Sequence, residues 1–303
     1  MEYIDKSRFL NREQEIDRNF LKDCYDEDSQ SFYPEIDSDQ SYSNFSSRIY
    51  RKGIDGWEHL LLKEQNGRCC YCMRRLHVGA LNIEHVIPRN IQTNEQMEVF
   101  AKYTNVSSFL EQNVELASEF AKKKFTNKDE LSEIEKFPHR IALSNLLASC
   151  NGKFGKPSDG CCCNNARSND YLLPLILMPE ISKRIRFDKF SGLIVLYPEE
   201  KSWEKLLQTL NDGTYKEVRL LWYKAWLHKD KIKLEALGDY NTKERVLFLN
   251  LIFDVDNFTK ISEEYQKYAG ILTGDNTYWK LFLDFDWFYW LRCGSPWIAH
   301  QVC

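Results

Sequence analysis

The chain has 303 residues, a length that fits two domains of roughly 150 residues or one large one. With 43% hydrophobic, 28% charged and 14% aromatic residues, it carries enough apolar mass for a substantial core, which excludes disorder of the whole chain. Lys plus Arg number 41 against 45 Asp plus Glu, a net charge of −4. That excludes a globally basic nucleic-acid coat and leaves only a local patch or a partner's surface for such contacts.

The first residues, Met1 to Lys6, lack a basic stretch followed by an apolar one, so no signal peptide is expected. The longest apolar stretch, Tyr171 to Met178, contains a proline and is far short of the ~20 residues that span a bilayer. A cytoplasmic protein with no membrane association is the expectation.

In chain order, Arg8 to Lys22 reads as a moderately amphipathic helix, with Phe9, Ile16, Phe20 and Leu21 between charges. Asp26 to Ser47, rich in Ser, Asp and Tyr, reads as a loop or a partner-binding arm. Gly53 to Gln65 predicts a helix with Trp57, Leu60 and Leu61 on one face, ended by Asn66-Gly67. Arg68 to Arg75 carries Cys69 and Cys72 in a knuckle-type turn. Leu81 to Ile87 is a short β-like run stopped by Pro88.

Asn90 to Glu135 reads as largely helical. Ser144 is a good N-cap for a helix over Asn145 to Ser149. Asn151 to Gly160 is a polar loop, and Cys163 to Asn169 opens another helix. Lys183 to Asp188 and Leu193 to Tyr197 flank Phe190-Ser191-Gly192 as a β-hairpin. Five helices then follow: Trp203 to Leu210, Lys216 to Leu227, Glu244 to Phe253, Ser262 to Leu272 and Tyr278 to Leu291.

Of ten cysteines, seven fall near 69–72 and 150–163. Two separated thiol clusters are what a structural zinc site needs, each supplying half a tetrahedron. Cys69, Cys72, Cys150 and one of Cys161, Cys162 or Cys163 can close it. Cys24, Cys293 and Cys303 read as incidental thiols. A four-cysteine site leaves no open coordination position, so it staples the knuckle to the downstream segment and does no chemistry.

Between the two clusters lies Ile83-Glu84-His85-Val86-Ile87-Pro88. Adjacent strand residues point to opposite faces unless the strand bends or ends, and Pro88 indicates that it ends. Glu84 is then a hard-oxygen donor for a Mg2+-type ion. His85, with an ordinary imidazole pKa near 6.5, is a natural general base. Asn164, immediately after Cys163, is an amide donor that the zinc would place.

These pieces, Cys69-x-x-Cys72, Ile83-Glu84-His85-x-x-Pro88, Asn145-Leu146-Leu147-x-Ser149-Cys150 and Cys163-Asn164-x-x-Arg167, resemble in kind and order those of the HNH (ββα-metal) endonucleases. The resemblance covers roughly residues 66 to 169. It implies that His85 is the general base, that Glu84 and Asn164 bind a catalytic Mg2+ or Mn2+, and that Asn145 braces the histidine-bearing loop. Arg167 sits at the family's usual basic position, a phosphate contact. It also implies products with 5′-phosphate and 3′-hydroxyl ends.

The chain departs from the pattern in three ways. The segment from His85 to Asn145 is longer than in a minimal module. Cys150 is separated by a loop from the Cys161–Cys163 run, where Cys163 is favoured because it alone precedes asparagine. Asn165 competes with Asn164 as ligand. A looser resemblance, carried by Pro174 to Pro179, Arg184 to Asp188, Gly192 to Ile194, Leu210-Asn211 and Arg219, is to the HNH subunits of anti-phage systems of the Septu and retron type. It implies a complex with an ABC-type ATPase.

The expected fold is α+β and predominantly helical. Residues 1–52 would form an N-terminal helix and arm. Residues 53–198 would form a ββα-metal nuclease domain with a helical insertion at about 90–140, and residues 199–303 a C-terminal helical domain. DNA is the favoured substrate. RNA cleavage by the same fold, and a zinc-stapled adaptor with no turnover, are the alternatives. Lys122-Lys123-Lys124 reads as a solvated helix face or a phosphate track; Lys183, Arg184 and Arg186 share that ambiguity. His59, His77, His139, His228 and His300 read as ordinary residues, with His77, near the knuckle, an alternative zinc ligand in place of a cysteine; Trp279, Phe282, Phe285, Phe288 and Tyr289 read as core or interface rather than a base-stacking platform.

Overall fold

A computed structural model describes residues 3–47, 56–98, 107–152, 163, 174–178, 180–196, 204–211, 213–232, 237, 241–255, 261–274, 276–285 and 297–298. Mixed α and β structure surrounds a continuous apolar core. The chain enters through a short turn at Lys6–Arg8 into helix α1 (Leu10–Cys24). A hairpin of β1 (Tyr25–Asp26) and β2 (Ser31–Phe32) leads to α2 (Asp39–Ser47).

The segment expected to be a loop or arm, 26–47, is therefore corrected to a hairpin followed by a helix. Asp26, Asp28, Ser29 and Ser31 occupy the exposed hairpin. Tyr25 and Phe32 pack, tilted or edge-to-face, into a cluster with Phe120 and Phe125, at centroid distances from 5.1 to 6.3 Å. Burying these rings opposes the loop-forming preference of the polar residues between them.

Helix α3 (Trp57–Glu64) ends as expected, with Asn66 at φ +51° and Gly67 at φ +66°. Strand β3 (Asn82–His85) then pairs antiparallel with β6 (Leu146–Ser149), His85 opposite Leu146 and Glu84 opposite Leu147. The helix expected over 145–149 is thus corrected: a 3-10 turn at Leu143–Asn145 precedes a strand. All four residues of β6 are buried. Ser144 does not cap a helix, because edge pairing with β3 satisfies the backbone that a helix would have satisfied internally.

Among the described residues, the insertion is helical over 94–98 and in short pieces beyond. It holds α4 (Ser107–Asn113), α5 (Ala117–Phe120) and a 3-10 turn at Lys128–Glu133, while β4 (Val114–Glu115) pairs parallel with β5 (Phe137–Pro138). After α6 (Ile181–Arg184), β7 (Ile185–Asp188) and β8 (Ile194–Leu196) form the expected hairpin, and β9 (Trp297–Ile298) adds in parallel to β7.

Helices α7 (Glu204–Leu210), α8 (Gly213–Leu227), α9 (Thr242–Ile252), α10 (Glu263–Gly274) and α11 (Asn276–Leu283) complete the fold near their expected places. Trp222 and Phe282 stack at 4.2 Å and 13°, with Trp279 and Phe248 around them. Trp279, Phe282 and Phe285 are core residues; Phe288 and Tyr289 lie outside the described residues.

Five residues of the looser resemblance, Gly192, Ile194, Leu210, Asn211 and Arg219, form one hydrogen-bonded knot. Ile194 N–H donates to Asn211 Oδ1 at 2.7 Å, and Asn211 Nδ2 donates to Ile194 O at 3.0 Å. Arg219 donates to Gly192 O at 2.7 Å and to Leu210 O. Gly192 sits at φ +71°, and a Cβ there would lie 2.4 Å from Lys216 O. These residues fasten the hairpin to α7 and α8. Among the described residues no helix is long and apolar enough to cross a membrane.

Candidate functional site

The knuckle is built by backbone bonds that curl Cys69 to Met73 back on themselves. Cys69 N–H donates to Arg74 O at 2.8 Å, Met73 N–H donates to Cys69 O at 3.1 Å, and Met73 takes φ +65°. Cys150 follows β6 directly, and its N–H points at Cys69 Sγ, 3.2 Å away. Arg74 pairs with Asp284 at 2.5 Å and Arg68 donates to Asp284 O at 2.8 Å, which ties the knuckle to the end of α11.

The Sγ atoms of Cys69, Cys72, Cys150 and Cys163 all lie within 4.8 Å of one another. Cys72 and Cys150 are 3.8 Å apart, about the separation of sulfurs in a tetrahedron with Zn–S bonds of ~2.3 Å. The four thiols are thus positioned to bind a metal such as zinc. Cys163 belongs to the cluster; Cys161 and Cys162 lie outside the described residues. Burial opposes ionisation of Cys69, but hydrogen bonds from Cys150, Cys163, Cys70 and Cys72 hold its pKa well below the usual thiol value. Burial raises that of Cys72, and the Cys69 charge adds to it. Without a cation the set divides its protons unequally; a divalent ion favours all four thiolates.

Glu84 and His85 end β3, both buried. Asn145 holds the turn beyond them. Its Oδ1 accepts from Ile87 N–H at 2.7 Å, and its Nδ2 donates to Ile87 O at 3.0 Å and to His139 O at 2.7 Å. Val86 N–H donates to Asn145 O at 2.8 Å. The asparagine singled out in the sequence thus fastens the histidine-bearing loop through both ends of its amide.

His85 Nε2 lies 3.0 Å from Arg140 O. A carbonyl only accepts, so Nε2 carries the proton and the neutral ring has its lone pair on Nδ1. The Tyr42 ring stands edge-on to His85 at 4.9 Å. His139 is a buried strut: Nδ1 accepts from Ala117 N–H at 2.9 Å, and Nε2 faces Arg89 O at 3.3 Å. Burial lowers its pKa to about 4, so it stays neutral at ordinary pH.

Asn164, Asn165 and Arg167, together with the helix expected to begin at Cys163, lie outside the described residues. Lys122 pairs with Glu119 at 2.8 Å and Lys123 with Glu115 at 2.5 Å, so two of the three lysines have carboxylate partners.

Two anchors escaped the sequence reading. Gln65 acts as a short extra strand beside β6: Ala148 N–H donates to its Oε1 at 2.6 Å, and its Nε2 donates to Ala148 O at 2.8 Å. Lys6 is fully buried behind the same strand. Its ammonium reaches Glu13 at 2.8 Å, Glu64 at 3.1 Å, Leu143 O at 2.9 Å and Leu146 O at 2.8 Å. Burial pushes the Glu64 carboxyl up to about 8 against the pull of Lys6. Asp17, which accepts from Leu143 N–H at 3.0 Å, is also held well above the usual carboxylate range by burial. A lone lysine in an ordinary helix-start pattern carries no signal of this; only the Glu13, Asp17 and Glu64 spacing around α1 and α3 hints at it.

Comparison with family models, curated proteins and solved structures produced no match. The functional reading therefore rests on the geometry and on the ordered motifs.

Proposed function

We propose that the chain is an HNH-type metal-dependent endonuclease that hydrolyses phosphodiester bonds. The observation that carries this reading is a carboxylate and a tautomer-fixed histidine ending a strand, braced by one asparagine and backed by a four-thiol clamp. His85 Nδ1 takes the proton from an attacking water, which adds to phosphorus in line with the departing 3′ oxygen. Asn145 keeps the loop carrying that histidine in place, and the buried strand pair excludes solvent behind it.

Glu84 supplies a hard-oxygen donor suited to Mg2+ or Mn2+; Asn164 is the second donor that the resemblance implies. Such an ion supplies Lewis-acid stabilisation of the charge that develops on the phosphate. The acidic balance of the chain fits an enzyme with little non-specific affinity for nucleic acid. An ABC-type ATPase that supplies a positive groove, and a role in anti-phage defence, are supported by the looser resemblance.

The test is cleavage of plasmid DNA and of total RNA with Mg2+ or Mn2+, comparing the native chain with His85→Ala. The expected result is cut DNA and a loss of at least about 100-fold in the variant, with zinc content and melting temperature retained. RNA cut in preference to DNA makes the enzyme an RNase. Equal behaviour of both proteins would leave a zinc-stapled adaptor as the better account.

A further inference from the structure

Beside His85 lies a ring of contacts that the motif does not contain. His85 Nε2 donates to the carbonyl of Arg140, 3.0 Å away. Arg140 Nη1 reaches Asp39 Oδ1 at 3.5 Å, and Arg89 Nη1 reaches the same oxygen at 4.0 Å. The Arg89 guanidinium lies over the Tyr42 ring at 4.8 Å, and Tyr42 returns to His85. Both arginines have anchored backbones, since the Arg89 carbonyl faces His139 Nε2 at 3.3 Å.

Arg140 and Asp39 differ in kind. The Arg140 side chain is 10% exposed, and its buried Nε has no hydrogen-bond acceptor among the described residues. The Asp39 side chain is 80% exposed. Its links to both arginines are long, and an exposed carboxylate holds such partners weakly. A nearly buried guanidinium with spare donors, beside a proposed general base, has the chemistry to take a second, better-fitting anion. Guanidinium groups bind phosphate oxygens in pairs, with more strength than a single long contact.

We infer that Arg89 and Arg140 form a clamp for a nucleic-acid backbone phosphate, and that Asp39 on α2 occupies it as an internal competing anion until nucleic acid displaces it. The inference rests on the nuclease reading and adds to it the means of substrate binding and restraint. It gives the N-terminal segment a function: α2 carries Asp39 and Tyr42 onto the site.

The experiment measures binding of a short labelled DNA duplex, and of the same sequence as RNA, to the full zinc-loaded chain without added divalent ion. Salt is varied throughout. Arg140→Met should weaken binding about tenfold and reduce the slope of log affinity against log salt by about one, as the loss of a single phosphate contact does. Arg140→Lys should keep the slope. Asp39→Asn should tighten binding several-fold. Should Arg140→Met lower the melting temperature, the more exposed Arg89→Met carries the same test. Unchanged affinity and slope in the arginine variants, or an Asp39→Asn protein that binds no better than the native chain, would overturn the clamp. Cleavage of the same duplex with Mg2+, compared with His85→Ala, reads the nuclease assignment separately. The expected binding shifts without cleavage by the native chain would support the clamp and refute the nuclease.

Discussion

The two halves of the molecule are held by different physics. Around β3 and β6, side-chain polar groups substitute for backbone partners: Asn145 on Ile87, Gln65 on Ala148, Lys6 on Leu143 and Leu146. In the C-terminal helices the joints are chiefly aromatic, led by Trp222 on Phe282, with single hydrogen bonds added, Trp222 Nε1 to Phe282 O at 2.8 Å and Arg245 to Leu272 O at 3.1 Å. Hydrogen bonds fix position and direction and lose most of their value when bent. Apolar contact is non-directional and tolerates repacking. The contrast indicates that position is fixed more strictly at the β3–β6 end than among the C-terminal helices.

The largest effect is expected where placement depends on the thiols. Cys72→Ser should lose the metal and most soluble protein, because structural metal binding is itself folding free energy; metal analysis and thermal melting read this. Survival of a fully folded, metal-loaded variant would place the Cys72 thiol outside the clamp.

A matched pair of substitutions then measures the contrast directly. Asn145→Leu removes the partners of a buried N–H and two buried carbonyls and should cost about 3–5 kcal/mol. Phe282→Leu keeps an apolar side chain in a repackable core and should cost about 1–2 kcal/mol. Equal costs in urea denaturation would erase the distinction between the halves.

Titration sharpens it further. Burial raises the Glu64 carboxyl in the folded chain to about 8, above its ordinary value of 4.5. The folded state therefore binds more protons than the unfolded chain between these values. Its contribution is full below pH 4.5 and declines as pH rises to about 8. Glu64→Gln should gain stability over the native chain at pH 8 and little at pH 5. His139, lowered to about 4 from 6.5, acts in the opposite sense: its contribution is present above pH 6.5 and is lost as pH falls to about 4. Denaturation midpoints at the two pH values check both.

The smallest effect is expected at the surface. Lys123→Ala breaks one exposed pair with Glu115 and should change stability by less than about 0.5 kcal/mol. It should leave duplex affinity unchanged; a marked loss of binding would extend the phosphate path to this face.

Legibility followed the range of the interaction. The thiol set was readable because softness and tetrahedral number restrict which side chains can share an ion, and Cys163 indeed joins Cys69, Cys72 and Cys150. The β7–β8 hairpin and the end of α3 at Asn66-Gly67 were readable because turns are local chemistry. The run 145–149 was not. Leu146, Leu147 and Ala148 suit a helix as well as a strand, and the choice was made by β3, some sixty residues earlier in the chain. The hairpin and helix over 25–47 were hidden for a related reason: Phe120 and Phe125, which bury Tyr25 and Phe32, lie far along the sequence.

Residue types and their order thus sufficed to single out the four thiols that the fold gathers, because metal-ligand chemistry belongs to side chains whatever surrounds them. They did not suffice to place Lys6 behind β6, His139 beneath Arg89, or Asp39 and Tyr42 beside His85. Those neighbours come from segments tens to more than a hundred residues apart. Their proximity is a property of packing, in which each buried polar group must find a partner wherever the folded chain supplies one.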